Sequence, residues 1–194
     1  MYAYLQGKFT NKNPAQVYVD VNGVGYEVNI SLNTFSQIQH LEQGTLYTHL
    51  QIKEDAHVLF GFFDKAEKEI FLQLIGISGI GAATARMMLS SLKPEEITRA
   101  IVQGNVTLLE SVKGIGKKTA ERLVLELKDK VAKNQSISSV SLQQGNKIEH
   151  DALTALTALG ISRQQAEQSI QKIILAEPTG LLLEDLIKKA LKAI

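Results

Sequence analysis

One seven-residue pattern recurs in this chain with five of its seven positions identical. Gly79-Ile80-Gly81-Ala82-Ala83-Thr84-Ala85 and Gly114-Ile115-Gly116-Lys117-Lys118-Thr119-Ala120 match at an offset of 35 residues, with Gly, Ile, Gly, Thr and Ala in register and Leu92 and Leu127 extending the match. Each copy follows a short apolar stretch of helical character (Phe71–Ile75 and Val106–Val112) and opens a longer one. A sharp turn between two helices needs backbone angles that glycine adopts without steric cost. The missing Cβ also lets an anion reach the main chain. Amides at the start of the second helix have no intrahelical partner and sit at its positive end, so they suit a phosphate oxygen. The isoleucine between the glycines points back and locks the helices, and Ala85 and Ala120 permit their close approach.

Helix, Gly-hydrophobe-Gly turn and helix resemble the helix-hairpin-helix motif. A lone Gly-x-Gly is most often an ordinary turn. Two copies in register, each between helices, point instead to a pair related by a pseudo-twofold, one for each strand across a minor groove. The residues expected to hold the DNA backbone are Gly79, Ile80, Gly81 and Ala82 in the first copy, and Gly114, Ile115, Gly116, Lys117, Lys118 and Arg122 in the second. The second copy is the stronger because its two lysines and Arg122 add charge, whereas Ala82-Ala83 leave the first with main-chain contacts. Such a site reads backbone and not bases, so binding is expected to be sequence-independent and salt-sensitive. Gly116-Lys117-Lys118-Thr119 looks like the end of a P-loop, but that motif needs Gly at 111 and Ser or Thr at 118, where this chain has Ser111 and Lys118. No nucleotide site and no other cofactor is expected.

The net charge of +1 hides an asymmetry. Three basic side chains face five acidic ones over 1–63, twelve face nine over 64–133, and six face six over 134–194. The electrostatic footprint of a nucleic-acid binder therefore belongs in the middle third. Absence of cysteine excludes a disulfide scaffold and a Cys-based zinc site and suits a cytoplasmic protein. The N-terminus lacks the basic segment and long apolar stretch of a secretion signal, and no run approaches a membrane span.

The pattern divides the chain into four. Residues 1–63 read as strands: Val17, Val19 and Val21 alternate with polar positions, Asn22-Gly23 marks a hairpin, and Tyr26–Ile30, Thr45–Lys53 and Ala56–Phe63 continue the series. Five strands in about 60 residues predict a small Greek-key barrel of the OB type, and an SH3-like barrel fits the same pattern. A helical turn is expected near Leu32–His40. Residues 64–133 are helical throughout, with Asp64 as N-cap and Pro94 in the first turn of a later helix. Residues 134–147 are polar and nearly uncharged, without periodicity, and read as a flexible linker. Residues 148–194 carry three short helical patterns broken at Gly160 and at Pro178-Thr179-Gly180, a three-helix module. The class is multidomain α+β.

Order and strings together resemble the RuvA family over essentially the whole chain. The strings are Val21-Asn22-Gly23-Val24-Gly25-Tyr26-Glu27-Val28, Glu54-Asp55-Ala56 with Leu59-Phe60-Gly61-Phe62, and Gly114 to Leu123 through Lys117-Lys118-Thr119-Ala120-Glu121-Arg122. The resemblance implies a homotetramer, or two tetramers face to face, bound to four-way (Holliday) junction DNA. It implies recruitment of the hexameric AAA+ motor RuvB for branch migration in recombination and repair, with the resolvase RuvC as a further partner. It makes the barrel the tetramerisation domain and turns Glu54 and Asp55 into an acidic pin at the junction centre, repelling phosphates and helping to part strands. It makes 148–194 the motor-docking domain, with Leu156, Leu159, Ile161 and Leu191 matching the family's apolar contact surface. Read without the family, the acidic pair is a solvated turn and leucines at helical spacing are core. Two departures stand out: Lys113 occupies a position where the family commonly has proline, and the linker is shorter than in some relatives.

Two rivals remain in view. A structure-specific nuclease could use Glu54 and Asp55 as metal ligands, but adjacent carboxylates on a turn diverge and two-metal sites need several convergent acids. His40, His49, His57 and His150 form no ligand-spaced cluster, and no nucleophile-base constellation is present. A general duplex- or RNA-binding adaptor would bind linear duplex as well as a junction.

Overall fold

A computed structural model describes residues 2–139, 144–176 and 182–193. The chain forms two compact units, residues 1–132 and 133–194.

The first unit opens with β1 (Tyr4–Asn13), β2 (Gln16–Val21), β3 (Val24–Asn29), α1 (Leu32–Ile38), β4 (Gln43–Ile52) and β5 (His57–Phe62). The strands close into a barrel in the order β1-β2-β3-β5-β4. With α1 between β3 and β4, this is the OB arrangement and not the SH3-like one. Between β2 and β3, Asn22 (φ 53°) and Gly23 (φ 87°) are both left-handed, the conformation of a type I′ hairpin. The parallel β3–β5 seam carries one registered pair, Asn29 with Phe60, whereas the antiparallel β4–β5 seam carries six.

Strand β5 is buried on both sides, which is why Leu59-Phe60-Gly61-Phe62 is a continuous apolar run. Leu59 turns into the barrel with Leu5, Phe9, Val17, Val19, Val28 and Leu46. Gly61 faces the same way, where a Cβ would lie 2.5 Å from Val28 Cγ1, so no larger residue fits without moving that strand. Phe60 and Phe62 point outward into the helical core and meet Phe71 with ring centroids 5.1 and 4.8 Å apart. Barrel and helices thus share one strand.

The helices are α2 (Lys65–Ile75), α3 (Ala82–Ser91), α4 (Pro94–Gln103), α5 (Val106–Glu110) and α6 (Lys117–Ser139). Asp64 caps α2, its Oδ1 accepting from the Glu67 amide at 2.7 Å. Pro94 occupies the first turn of α4, and left-handed Gly104 (φ 69°) ends it. A buried polar knot ties α2 to the barrel. The Glu67 side chain is 2% exposed and accepts from the hydroxyls of Ser31 and of Thr34, the latter at 2.6 Å. Both hydroxyl oxygens are themselves acceptors, Ser31 Oγ from the Thr34 amide and Thr34 Oγ1 from the Phe63 amide, each at 3.0 Å. Burial pushes the Glu67 carboxyl above its ordinary 4.5, against the lowering effect of the two hydroxyls.

In the second unit, α7 (Gln144–Ala158), α8 (Arg163–Ala176) and α9 (Leu183–Ala193) pack around Ala152, Leu156, Ala166, Ile170, Leu186 and Ala190. Gly160 (φ 90°) ends the α7 turn, and the Ile161 amide donates back to Leu156 at 3.1 Å. Helix α6 runs to Ser139 and α7 begins at Gln144, and residues 140–143 of the expected linker lie outside the described residues. Among the described residues no helix is long and apolar enough to cross a membrane.

Candidate nucleic-acid interface

The sequence repeat is a repeat of geometry. Gly79 and Gly114 both adopt φ 93°, a left-handed angle that disfavours any side chain. In the first turn the Ile80 amide donates to Ile77 at 3.0 Å; in the second, Ile115 donates to Val112 at 3.0 Å. The Gly81 carbonyl accepts from Ala85 at 2.9 Å and the Gly116 carbonyl from Ala120 at 3.0 Å, each opening a helix. Ile80 and Ile115 are buried and Ala85 and Ala120 fully so, which closes α2 on α3 and α5 on α6. Two turns separated by 35 residues share every one of these features.

Outside each turn the main chain is open. A Cβ built at Gly79, Gly81 or Gly116 meets no atom within 4 Å, so these glycines are not small in order to fit a neighbour of their own chain. Gly81 caps α3 without any side-chain hydrogen bond, leaving the first amides of that helix to an external acceptor. Ala82, expected as a backbone contact, is buried in the helical core, whereas Gly81 before it is exposed. Lys117 and Lys118 are exposed in the first turn of α6, where no acidic residue accompanies them. By contrast, α4 places Glu95 and Glu96 in its first turn. Two cations at the positive end of a helix work against its dipole. An anion held there reverses the sign of that interaction.

The two hairpins touch. Arg122 on α6 donates from Nη1 to the Ser78 carbonyl in the first turn at 3.2 Å, and its Nε lies 3.8 Å from Glu126. Arg122, expected as a phosphate contact, therefore also joins the two turns. Thr84 Cγ2 lies 3.9 Å from where a Gly114 Cβ would stand.

Glu54 and Asp55 form the exposed tip between β4 and β5, closed by the Lys53 amide donating to Ala56 at 2.8 Å. Among the described residues no group of three His, Asp or Glu side chains could hold a metal. His49 lies on β4 beside Phe71, its pKa lowered by burial and by Lys68.

The expected motor-contact residues separate. Leu159 is 64% exposed and Leu191 43%, while Ile161 is half-buried against the module's core. Leu156 is a correction: it is fully buried among α7, α8 and α9 and presents no surface. Its side chain lies on the inward face of α7, and helical spacing alone does not say which face that is. Leu175 and Leu182 are more exposed than any of the four, at 84% and 68%, and were not singled out by the sequence.

Three family models match in chain order. The RuvA N terminal domain covers residues 1–61, the SAM-like helix-hairpin-helix tandem 71–129, and the RuvA C-terminal domain 147–194. A protein of Christiangramia forsetii described as Holliday junction branch migration complex subunit RuvA is 50% identical over 192 residues, 99% of each chain. One of the same description from Flavobacterium psychrophilum is 48% identical over 192 residues, again 99% of each. Another from Laribacter hongkongensis is 42% identical over 203 residues, covering 100% of this chain and 98% of its own. With barrel, paired hairpins and helical module matched from end to end, the chain belongs to the RuvA family.

Proposed function

We propose that this chain is a non-catalytic subunit of a Holliday junction branch migration complex, working in the cytoplasm. Its barrel (1–63) assembles a homotetramer, singly or as a face-to-face pair, around the centre of a four-way junction. Its paired hairpins (64–133) grip the arms by their phosphates through Gly79–Ala82 and Gly114–Lys118 with Arg122. The module at 148–194 docks the RuvB hexamer through exposed leucines such as Leu159 and Leu191, with RuvC as a further partner on the same DNA. The observation that carries this reading is the geometric identity of the two turns, each with left-handed glycine, buried isoleucine and open amides. Such a pair holds backbone and not sequence.

The test is a titration of a synthetic four-way junction and a linear duplex of equal length, with and without Mg²⁺. Junction preference without cleavage is expected. Equal binding to both would leave a general duplex adaptor, and Mg²⁺-dependent cleavage would return attention to the carboxylates.

The acidic tip makes a separate prediction. Exposed carboxylates repel phosphates that approach them wrongly, which lowers affinity for DNA lacking an open centre. Glu54→Gln with Asp55→Asn is expected to tighten duplex binding roughly threefold or more and so narrow the junction preference. Unchanged duplex affinity would remove the tip from DNA selection.

A further inference from the structure

Helix α3 does more than open a phosphate site. One turn after Ala82, Arg86 directs its guanidinium at the barrel, and Nη1 donates to the Ala15 carbonyl at 3.1 Å and to Asn29 Oδ1 at 3.0 Å. Asn29 continues the chain, donating from Nδ2 to the Leu59 carbonyl on β5 at 3.3 Å. Further along α3, Ser90 Oγ accepts from the Leu32 amide at 3.1 Å. Asn33 on α1 donates from Nδ2 to the carbonyls of Leu89 and, at 3.0 Å, of Leu92. Three side chains thus fasten α3 along its length, Arg86 to the strands of the barrel and Ser90 and Asn33 to α1, the helix between β3 and β4.

The place of attachment matters. Asn29 is the registered residue of the parallel β3–β5 seam, the seam with the fewest paired positions in the barrel. Strand β5 begins one residue after Ala56 and so carries the Glu54-Asp55 tip directly. A hydrogen-bonded path therefore runs from the helix whose N-terminus offers amides to phosphate, through Arg86 and Asn29, to the strand that holds the acidic tip.

We infer that Arg86 is a positioning residue for DNA selection, fixing the phosphate grip of the first hairpin relative to the acidic tip. This rests on the junction-binding function proposed above. A duplex is only repelled by the tip's charge and needs no fixed distance between tip and hairpins. A junction must satisfy hairpins and tip together, so play between them costs affinity for the junction only. The rival role for Arg86 is direct phosphate contact, since it is partly exposed and, among the described residues, no carboxylate pairs with it. Salt separates the two: a phosphate contact adds about one unit to the slope of log K against log salt on any DNA, and a positioning residue adds none.

The experiment measures junction and duplex affinities over a salt series for the full chain, Arg86→Met, Arg86→Lys and Asn33→Ala, with thermal melts alongside. Arg86→Met is expected to reduce the junction-over-duplex preference about tenfold, with duplex affinity and salt slope retained. Arg86→Lys keeps the charge without the planar fork and is expected to follow Arg86→Met in preference. Asn33→Ala loosens the same attachment without removing a cation, and carries the test if Arg86→Met does not fold; a smaller loss of the same kind is expected. Parallel loss on both DNAs with a shallower slope would overturn the inference in favour of phosphate contact. Unchanged preference in folded Arg86→Met, or in Asn33→Ala should Arg86→Met not fold, would overturn it outright. Absence of junction preference in the unsubstituted chain would instead overturn the proposed function itself, and the inference with it.

Discussion

Replacing Lys117 and Lys118 together by alanine is expected to weaken binding to four-way junction and linear duplex by the same factor, on the order of 50-fold at 0.1 M salt. Each phosphate neutralised contributes about 0.9 to the slope of log K against log salt, so each lysine on a phosphate is worth somewhat under tenfold at that concentration. Without the two ammonium groups the slope should flatten by about 1.8, and the preference between the two DNAs should stay intact. The fold should not suffer. Both side chains are exposed, neither makes a hydrogen bond or ion pair among those described, and alanine is the better helix former. Removing cations from the positive end of α6 relieves an unfavourable dipole interaction, so the melting temperature should hold or rise slightly. Weaker binding together with an undiminished melting temperature is the signature of residues kept for a ligand. A slope that does not change would take the lysines out of the interface.

That signature was partly legible in the sequence, because what the paired turns need is local. A left-handed angle calls for glycine at 79 and 114, locking calls for an apolar residue at 80 and 115, and close helices call for alanine at 85 and 120. The barrel was legible through alternation and through Asn22-Gly23, whose left-handed pair sets the hairpin. Strand β1 is the least clear from pattern. Leu5 and Phe9 face the core, but the inward position between them is Gly7, where a Cβ would stand 2.1 Å from the Asp20 carbonyl. Close approach of β2 replaced the apolar residue that the alternation required.

What sequence did not yield are the contacts between elements far apart in the chain. Arg86 meets Asn29 across 57 positions and Asn33 meets Leu92 across 59. Such contacts have no period, and nothing local to Arg86 or Asn33 marks the partner. Leu156 fails for a related reason: leucines at helical spacing define a stripe, but only packing against α8 and α9 decides that this one points inward and Leu159 outward. The residues that shape a turn locally were legible; those that set distances were not.

Glu67 belongs to the second kind, and its removal should carry a large stability cost. Glu67→Ala leaves the hydroxyls of Ser31 and Thr34 without the acceptor they share, in a site where the side chain was 2% exposed. Two buried donors unsatisfied, with a cavity beside them, cost about 3 kcal/mol, or a fall of roughly 10 °C in the melting temperature of this unit. Glu67→Gln keeps the shape and isolates the charge. Burial, with a smaller push from Asp64, raises the carboxyl's pKa in the folded state above 4.5. Protonation is therefore easier folded than unfolded. The stabilisation this provides is complete below 4.5 and is lost as pH rises through the folded-state value. The neutral amide has no such dependence. Relative to the unsubstituted chain, Glu67→Gln should therefore gain in stability as pH is raised from 4 towards 8, read as the difference between their melting temperatures at each pH. A constant difference would mean that Glu67 titrates alike in both states, and that the hydroxyls of Ser31 and Thr34 fully offset its burial. The stakes extend beyond stability: the knot anchors α2, the first helix of the first hairpin, to α1, and α1 is also where Asn33 reaches α3. Loosening Glu67 should therefore erode junction preference in the same direction as loosening Arg86, with the melting temperature falling first.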